Sequence, residues 1–236
     1  MPESGVPATT ETRHERTESA RLDNFVDGAF AFAITLLIIS GGSLPQSVTA
    51  LEHALRGVPA FAACFAQLVF FWHGHVYWRD SVRLTDGASL RLSLLLVFFA
   101  LIFVFPLHLV YAGLANGMSQ GVLSPGATIF TTGQHGATAL FICYGLSYAC
   151  MAGTLAALYG HGVRTAVWMD DTEAVSVRVW GVIWAYVAMV GLISTLLAIT
   201  LPTRMIGISG SSYGLLAFIG LIANRYRKHL KARLPT

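Results

Sequence analysis

The chain has 236 residues, of which 55% are hydrophobic and only 11% are charged, and its formal net charge is +3. Soluble globular domains are about 45–50% apolar and about 25% charged. The composition therefore excludes a disordered chain and a nucleic-acid-binding protein. It predicts an all-α integral membrane protein that crosses the bilayer several times.

Residues 1–20 form a polar amino-terminal segment that is rich in glutamate and also holds Arg13 and Arg16. A signal peptide begins with basic residues and continues with a short apolar core, and this segment has neither feature. We therefore expect a solvated tail ahead of the first apolar segment.

Six apolar segments follow, and each is long enough to cross a bilayer as a helix, which takes about 20 residues. They are expected at residues 21–41, 51–78, 90–114, 137–159, 178–201 and 206–224. The connection at residues 115–136 is rich in Gly, Ser and Thr and is expected to be a loop, with a re-entrant piece as an open alternative. Residues 21–228 would thus form one six-helix transmembrane domain, followed by a basic cytoplasmic tail at residues 229–236.

The distribution of Lys and Arg predicts the orientation of these helices. If the amino terminus is cytoplasmic, all of the 15 Lys and Arg residues except Arg56 and Arg204 lie on the cytoplasmic side. The positive-inside rule expects this excess when the number of spans is even, so both termini should be cytoplasmic in the cell (inner) membrane. The basic run at residues 224–229 is expected to mark the cytoplasmic end of the last span, and a specific role in binding lipid stays open.

The first apolar segment carries an ionisable group, Asp27, close to membrane depth. Such groups usually face other helices, find partners and mark function. At 100° per residue, Phe32 shares one stripe with Thr35, Leu36 and Ile39, whereas Asp27 lies about 140° away from Phe32. We therefore expect Asp27 to contact neighbouring helices. The alternative is an ordinary packing face with one interfacial carboxylate.

The second apolar segment ends with aromatic and imidazole side chains at the level of Asp27. His73 and His75 are two residues apart, so they lie on different helix faces, whereas zinc pairs on a helix are three or four apart. We expect a hydrogen bond from His75 to a carboxylate such as Asp27, and no metal site. Interfacial anchoring explains the neighbouring aromatic residues Trp72 and Trp78.

These two segments resemble the transmembrane protein 175 family of potassium channels. The first helix of that family opens with Arg-x-x-x-Phe-Ser-Asp. Here Arg21, Phe25 and Asp27 match, and Val26 stands in place of the serine. The Trp-x-x-His sequence at the end of the second segment is similar as well. The resemblance in length and hydropathy extends over six helices, but its specific residues lie in the first two.

The resemblance implies a homotetramer whose first helices line one central pore. It implies a cation channel that conducts K+ with weak selectivity over Na+, without a cofactor, and whose partners are copies of itself, the lipid bilayer and monovalent cations. Rings of bulky apolar side chains would form the gate, and Thr35 would occupy a hydroxyl position linked to ion preference. The residues that match the gate positions are Phe32, Leu36 and Ile39.

The resemblance also implies a polar network that holds the helices together at the cytoplasmic end. The residues that match its positions are Arg21, Asp27, Trp72 and His75. Because Val26 removes a hydroxyl near Asp27, this network differs from the family pattern. Arg21 falls near the stripe of Phe32, so a position at the pore mouth is the alternative for this residue.

Two other classes of function compete with the channel. A secondary transporter often has inverted repeats and broken helices near the midplane, and we find no clear repeat in the sequence. The sequence Gly207-Ile208-Ser209-Gly210 is similar to the Gly-x-Ser-Gly motif of rhomboid-type proteases, which need a later histidine to activate the serine. The only later histidine, His229, is expected on the opposite side of the membrane, so an enzyme is not predicted.

Overall fold

The structure is a computed structural model that describes residues 10–41, 44–127, 134–166 and 170–232. Within these ranges all regular elements are helical, which confirms the predicted all-α class for this part of the chain. The α-helices are α1 (Thr10–Ser40), α2 (Val48–Arg56), α3 (Val58–Val82), α4 (Gly87–Met118), α5 (Gln134–Thr165), α6 (Asp171–Thr200), α7 (Gly207–Ser211) and α8 (Ile219–Lys231). Two 3-10 segments cover Thr203–Met205 and Ser212–Phe218.

Five helical segments are long and apolar enough to cross a membrane, namely α1, α4, α5, α6 and the continuous segment from α7 to α8. Helices α2 and α3, which meet at an angle of 48°, add a sixth if they count as one span. The chain is therefore a multi-pass membrane protein with five or six candidate spans. The predicted second span is bent at Gly57, and the predicted sixth is interrupted by a 3-10 segment.

Both predicted tails are partly helical. Helix α1 begins at Thr10, so the second half of the polar segment 1–20 continues into the first span. Helix α8 ends at Lys231, so the basic residues near the carboxyl terminus extend the last span. Glu, Arg and Lys have good helix propensity, which permits both extensions. The ranges 1–9 and 233–236 lie outside the described residues.

The predicted loop at residues 115–136 is shorter than expected, because α4 continues to Met118 and α5 begins at Gln134. The turns that follow α4 place Gln120 and Ser124 in the left-handed region, with φ of 53° and 49°. The backbone N–H of Ser124 donates a hydrogen bond of 3.1 Å to the carbonyl of Arg56, so these turns lie against the end of α2. Residues 128–133, where a re-entrant piece could lie, are outside the described residues.

Helices α5 and α6 share the most extensive contact in the structure, and glycine makes their close approach possible. A Cβ at Gly145 would lie 2.5 Å from Oγ1 of Thr195 and 3.1 Å from the carbonyl oxygen of Gly191. A Cβ at Gly191 would lie 3.0 Å from the backbone nitrogen of Ala149. Small residues let membrane helices gain van der Waals contact between their backbones, so this helix pair is closely packed.

Helix α3 is fixed to this pair through another glycine. The buried ring of Trp184 on α6 lies so close to Gly74 that an added Cβ would come within 2.2 Å of Cζ2. The hydroxyl of Tyr159 on α5 donates a 2.8 Å hydrogen bond to the carbonyl of Gly74, and Phe71 stacks on Trp184 at 5.4 Å. These contacts hold the last turns of α3 in place beside α1.

Candidate functional site

Helix α1 presents one face to its own chain and leaves the other uncovered. The covered face consists of the buried residues Val26, Phe30, Ala33 and Leu37, and α1 packs mainly against α4. We call the opposite side the open face of α1. It consists of the exposed residues Phe25, Gly28, Ala31, Phe32, Thr35, Ile38 and Ile39.

The residues predicted to face a pore divide between the open face and its edge. Phe32 is 55% exposed, Ile39 is 64% exposed, and Thr35 is also exposed. Leu36 is half-buried and packs against the hydrophobic core. The uncovered surface is therefore rotated away from Leu36, and Thr35 lies nearer to its centre.

The open face combines polar and small residues with bulky apolar ones. The hydroxyl of Thr35 donates a 3.1 Å hydrogen bond to the carbonyl of Ala31, one turn earlier. Because its hydrogen is used within the helix, the oxygen keeps its lone pairs as acceptors on the exposed side. A Cβ placed on Gly28 would meet nothing within 4 Å, so this chain does not fill the space in front of Gly28.

A cluster of polar side chains joins α1 to α3 where α3 ends. We call Asp23, Asp27, Trp72, His75 and Arg79 the polar end cluster. The indole Nε1 of Trp72 donates a 2.8 Å hydrogen bond to Oδ1 of Asp27. Arg79 donates from Nε to Oδ1 of Asp23 at 2.6 Å and from Nη2 to Oδ2 at 3.3 Å. Two separate links thus fix the start of the span in α1 to the end of α3.

Arg79 is the buried cation of the polar end cluster. Its side chain is 7% exposed, whereas that of Asp23 is 40% exposed. A further hydrogen bond runs from Nη1 to the carbonyl oxygen of Leu84, and the guanidinium lies 5.7 Å from the ring centre of Trp78. A buried guanidinium needs such partners, because the loss of hydration is otherwise uncompensated. Arg79 therefore ties α1, α3 and the turn before α4 together.

Two members of the predicted polar network lie elsewhere than expected. His75 is buried, and its Nε2 lies 3.0 Å from Oγ of the buried Ser93 on α4, so the expected hydrogen bond to Asp27 is not formed. Arg21 is exposed, and it makes no hydrogen bond or ion pair with any residue that the structure describes. The structure therefore brings Asp27 and Trp72 together, directs His75 to α4 and leaves Arg21 apart.

Sequence reasoning missed Asp23, Arg79 and Ser93 as members of this site. The spacing held a signal for one of them, since Trp72, His75 and Arg79 are three and four residues apart and so share one helix face. No comparable signal pointed to Ser93, because hydroxyl residues are common in apolar helices and the histidine could have turned to several neighbours.

The two carboxylates of the polar end cluster differ in their charge balance. Asp23 is neutralised by the guanidinium of Arg79. Asp27 accepts a hydrogen bond from a neutral indole and forms no ion pair with the residues that the structure describes. Asp27 therefore leaves a negative charge beside the open face of α1 at this end of the bundle.

Comparison with known proteins identifies this part of the chain. Residues 21–106 match the model of the family described as "Endosomal/lysosomal potassium channel TMEM175". We call this range the TMEM175 segment, after the family model that it matches. The resemblance indicated by Arg21, Phe25 and Asp27 is thereby confirmed. This TMEM175 segment contains the open face, the polar end cluster and Ser93.

A curated relative and a solved structure extend the comparison beyond the TMEM175 segment. The chain is 28% identical over 145 residues to a protein of Marivirga tractuosa named "Potassium channel". That match covers 56% of this chain and 58% of the relative, so the chain spans less than two thirds of the relative's length.

The solved structure is that of a variant of the potassium channel MtTMEM175 in complex with a Nanobody-MBP fusion protein. The two folds agree with a TM-score of 0.76 at 22% sequence identity, over 89% of this chain and 93% of the other. At this identity the likeness concerns the fold. It includes helices beyond residue 106, where the TMEM175 segment ends.

Proposed function

We propose that the chain is one subunit of a homotetrameric channel that conducts K+ across the cell membrane, with weak selectivity over Na+. In this proposal four copies of α1 line the pore, and both termini are cytoplasmic. The observation that carries the proposal is the open face of α1, which no other part of the described chain covers. The names of the relatives, both called potassium channels, support it.

The composition of the open face favours a pore over lipid. A helix surface in contact with lipid alone is expected to be uniformly apolar, because hydrocarbon offers polar groups no partner. The open face instead places the exposed hydroxyl of Thr35 and the small residues Gly28 and Ala31 between Phe25 and the isoleucines at its end. Such a surface suits a channel that is wide and polar in places and narrow and apolar in others.

The apolar residues would act as the gate. A narrow constriction without polar partners expels water and thereby blocks a hydrated cation. Phe32 and Ile39 project from the open face, and Leu36 lies at its edge. On a helical wheel Leu36 and Thr35 flank Phe32 on opposite sides. Rotation of α1 one way would bring the Leu36 ring to the axis, and rotation the other way would bring the Thr35 hydroxyls.

Two oxygen-bearing side chains would act on the ion. Thr35 already donates its hydrogen within α1, so four Thr35 oxygens could accept a partly dehydrated K+ together. These few flexible ligands discriminate less than a full cage of carbonyls, which accounts for the weak selectivity in the proposal. Asp27 would raise the local concentration of cations at its end of the pore.

The test is K+ flux from liposomes that contain the purified protein. We expect Phe32→Ala to raise basal flux by about tenfold or more, because four methyl groups leave a wider constriction than four phenyl groups and so admit water. Phe98→Ala on α4 is the matched control, since Phe98 is 56% exposed and Phe32 is 55% exposed. Unchanged flux in Phe32→Ala, from protein that remains folded, would contradict the gate. Equal increases in both variants would mean that the leak comes from disturbed packing.

A secondary transporter of a small solute or ion is the second candidate, and the interrupted last span favours it. Helices α7 and α8 are separated by the 3-10 segment, and transporters often bind their substrates at such breaks. Beside the break, Ser194 and Ser209 are buried and hydrogen-bond to each other, with Oγ of Ser194 2.9 Å from the carbonyl of Ser209. Flux that saturates with K+ concentration and depends on a second ion would favour the transporter, and uncoupled ohmic flux would favour the channel.

A further inference from the structure

Helix α8 ends in a face that is strongly basic and exposed. Its apolar side packs against the hydrophobic core through the partly buried residues Ile219, Ala223, Tyr226 and Leu230. Arg225, Arg227 and Lys228 are exposed. At 100° per residue these three cations spread over about 160° of the helix, all outside the apolar stripe. We call them the basic face of α8.

The length of the last span indicates a depth near the lipid headgroups for the basic face. From Gly207 to Arg225 the chain stays helical; at about 1.5 Å per residue in the α-helical parts and about 2.0 Å in the 3-10 segment, this length is roughly 30 Å. The hydrocarbon core of a bilayer is about 30 Å thick. The apolar stripe with Tyr226 and Leu230 packs against the bundle. A span of this length would place the cations on its other side near the boundary between hydrocarbon and headgroups.

Three arginines at the same end of the bundle are held by partners within the chain, unlike the cations of the basic face. Arg79 is paired with Asp23, Nε of Arg83 donates to the carbonyl of Asp80 at 3.2 Å, and Nε of Arg91 donates to the carbonyl of Gly87 at 3.1 Å. The three residues of the basic face make no hydrogen bond or ion pair with any part of the chain that the structure describes.

No acidic side chain on α8 competes for the basic face, since residues 219–231 contain neither Asp nor Glu. Helix α6, which packs against α8, carries its acidic residues Asp171 and Glu173 in its first turn. Neither residue forms an ion pair with the basic face within the described ranges. The basic face is therefore available to anions from outside the protein.

We propose that the basic face of α8 binds the phosphate groups of anionic phospholipids in the adjacent leaflet. In the proposed orientation this is the cytoplasmic leaflet. The binding goes beyond ion conduction and does not depend on it. A Lys or Arg near an anionic surface contributes about 1 kcal/mol, which corresponds to roughly fivefold in affinity. Three such residues would thus give a clear preference for anionic over neutral lipid.

The experiment measures this preference directly on the full chain in mixed micelles. Pyrene-labelled phosphatidylglycerol accepts energy from tryptophans such as Trp72 and Trp180, and unlabelled lipids compete with it. We expect unlabelled phosphatidylglycerol to compete at least about tenfold better than phosphatidylcholine. The triple variant Arg225→Gln, Arg227→Gln, Lys228→Gln should lose this difference. The double variant Arg225→Lys, Arg227→Lys should keep it, because the charge is retained.

Controls separate the basic face from general charge and from folding. Arg204→Gln removes an exposed cation near the other end of α6 and should leave the preference intact. A preference that persists in the triple variant, or that is lost equally in Arg204→Gln, would overturn the proposal. Displacement of the labelled lipid by millimolar inorganic phosphate would also overturn it, because the site would then be one for free anions. If the triple variant does not fold, the wild type is measured at high ionic strength, which screens charge interactions. A preference for phosphatidylglycerol that is unchanged by salt would contradict the proposal.

Discussion

Helices α1 and α5 are both long and apolar, yet the rest of the chain buries them to different extents. Helix α5 is buried over much of its surface, and α6 packs so closely on Gly145 that even a methyl group does not fit. Helix α1 is covered along one face only, and Phe32 and Ile39 remain more than half exposed on the other. Two helices of similar hydropathy thus differ in burial: the chain covers much of α5 but only one face of α1.

The difference distinguishes a closely packed scaffold, α5 with α6, from an exposed helix face, the open face of α1. The scaffold, formed by α5 and α6, is held by close backbone contact between small residues. Helix α1 is held mainly along its covered face and by the two links of the polar end cluster, so its other face is free to meet water, ions or further copies of the chain.

The largest expected effect contrasts two glycine substitutions in the two regions. Gly145→Ala should destabilise the protein by about 1–3 kcal/mol or more, because the new Cβ would clash with Thr195 and with the backbone of Gly191. Gly28→Ala should leave stability unchanged or raise it by up to about 1 kcal/mol, through helix propensity. Thermal unfolding in detergent measures both variants.

Gly153→Ala serves as the control within α5, because a Cβ there meets nothing within 4 Å. It should behave like Gly28→Ala. If Gly28→Ala instead costs as much as Gly145→Ala, the open face would be as closely packed as α5, and the comparison would fail.

A smaller effect is expected at the link between α1 and the scaffold. Asp23→Ala removes the carboxylate that neutralises the buried Arg79, and it should lower stability by about 1–2 kcal/mol. This value is below that of a fully buried pair, because the side chain of Asp23 is 40% exposed. Asp80→Ala is the control, since Asp80 is exposed and its side chain has no partner among the described residues. Equal melting temperatures for wild type and Asp23→Ala would show that the link does not hold α1.

The smallest effect concerns the link between the start of α4 and the end of α5. Asp86 caps α4, accepts a 2.6 Å hydrogen bond from Ser89 and lies 2.8 Å from Nε2 of His161. Its partial burial raises the pKa of the carboxyl. The hydrogen bonds from Ser89 and His161 and the charge of His161 outweigh this, so the pKa is lowered from its usual 3.8.

A lowered pKa means that the folded state prefers the charged carboxylate. The resulting stability is present above about pH 3.8 and is lost as the pH falls through the lower value in the folded protein. Asp86→Asn keeps a capping oxygen but removes the charge. The melting temperatures of wild type and variant should therefore differ slightly at neutral pH and converge as the pH falls below this range. A difference that grows on acidification would contradict the assignment.

The sequence predicted most of the fold, because hydropathy and charge are properties of consecutive residues. Each of the six apolar segments falls on a helix or a pair of helices, but α1, α5, α6 and α8 extend at one end beyond the predicted bounds by about two turns or more. The interruptions in the second and sixth segments were not predicted. At the second segment Pro59, two residues after Gly57, was a signal for the break, because proline is favoured in the first turn of a helix. Residues 212–218 carry no such signal, since glycine and serine are also tolerated inside membrane helices.

The candidate site was predicted less completely than the fold. The sequence predicted a partner for Asp27, because a carboxylate at membrane depth requires one. In the structure Trp72, also named as a member of the network, donates a hydrogen bond to Asp27. The sequence named Arg21 where the structure places the Arg79 and Asp23 pair, whose members are 56 residues apart. It also paired His75 with a carboxylate, although the hydroxyl of Ser93 on α4 lies within hydrogen-bond distance.

By itself the sequence determined that this chain crosses a membrane as a bundle of helices and that residues 21–106 carry the TMEM175 signature. Local composition and short spacings suffice for both conclusions. Only the tertiary structure decided which face of α1 stays open, that Leu36 lies at its edge, and which partners hold Arg79 and His75. These features depend on which helices become neighbours, and that choice is made by packing among residues far apart in the chain.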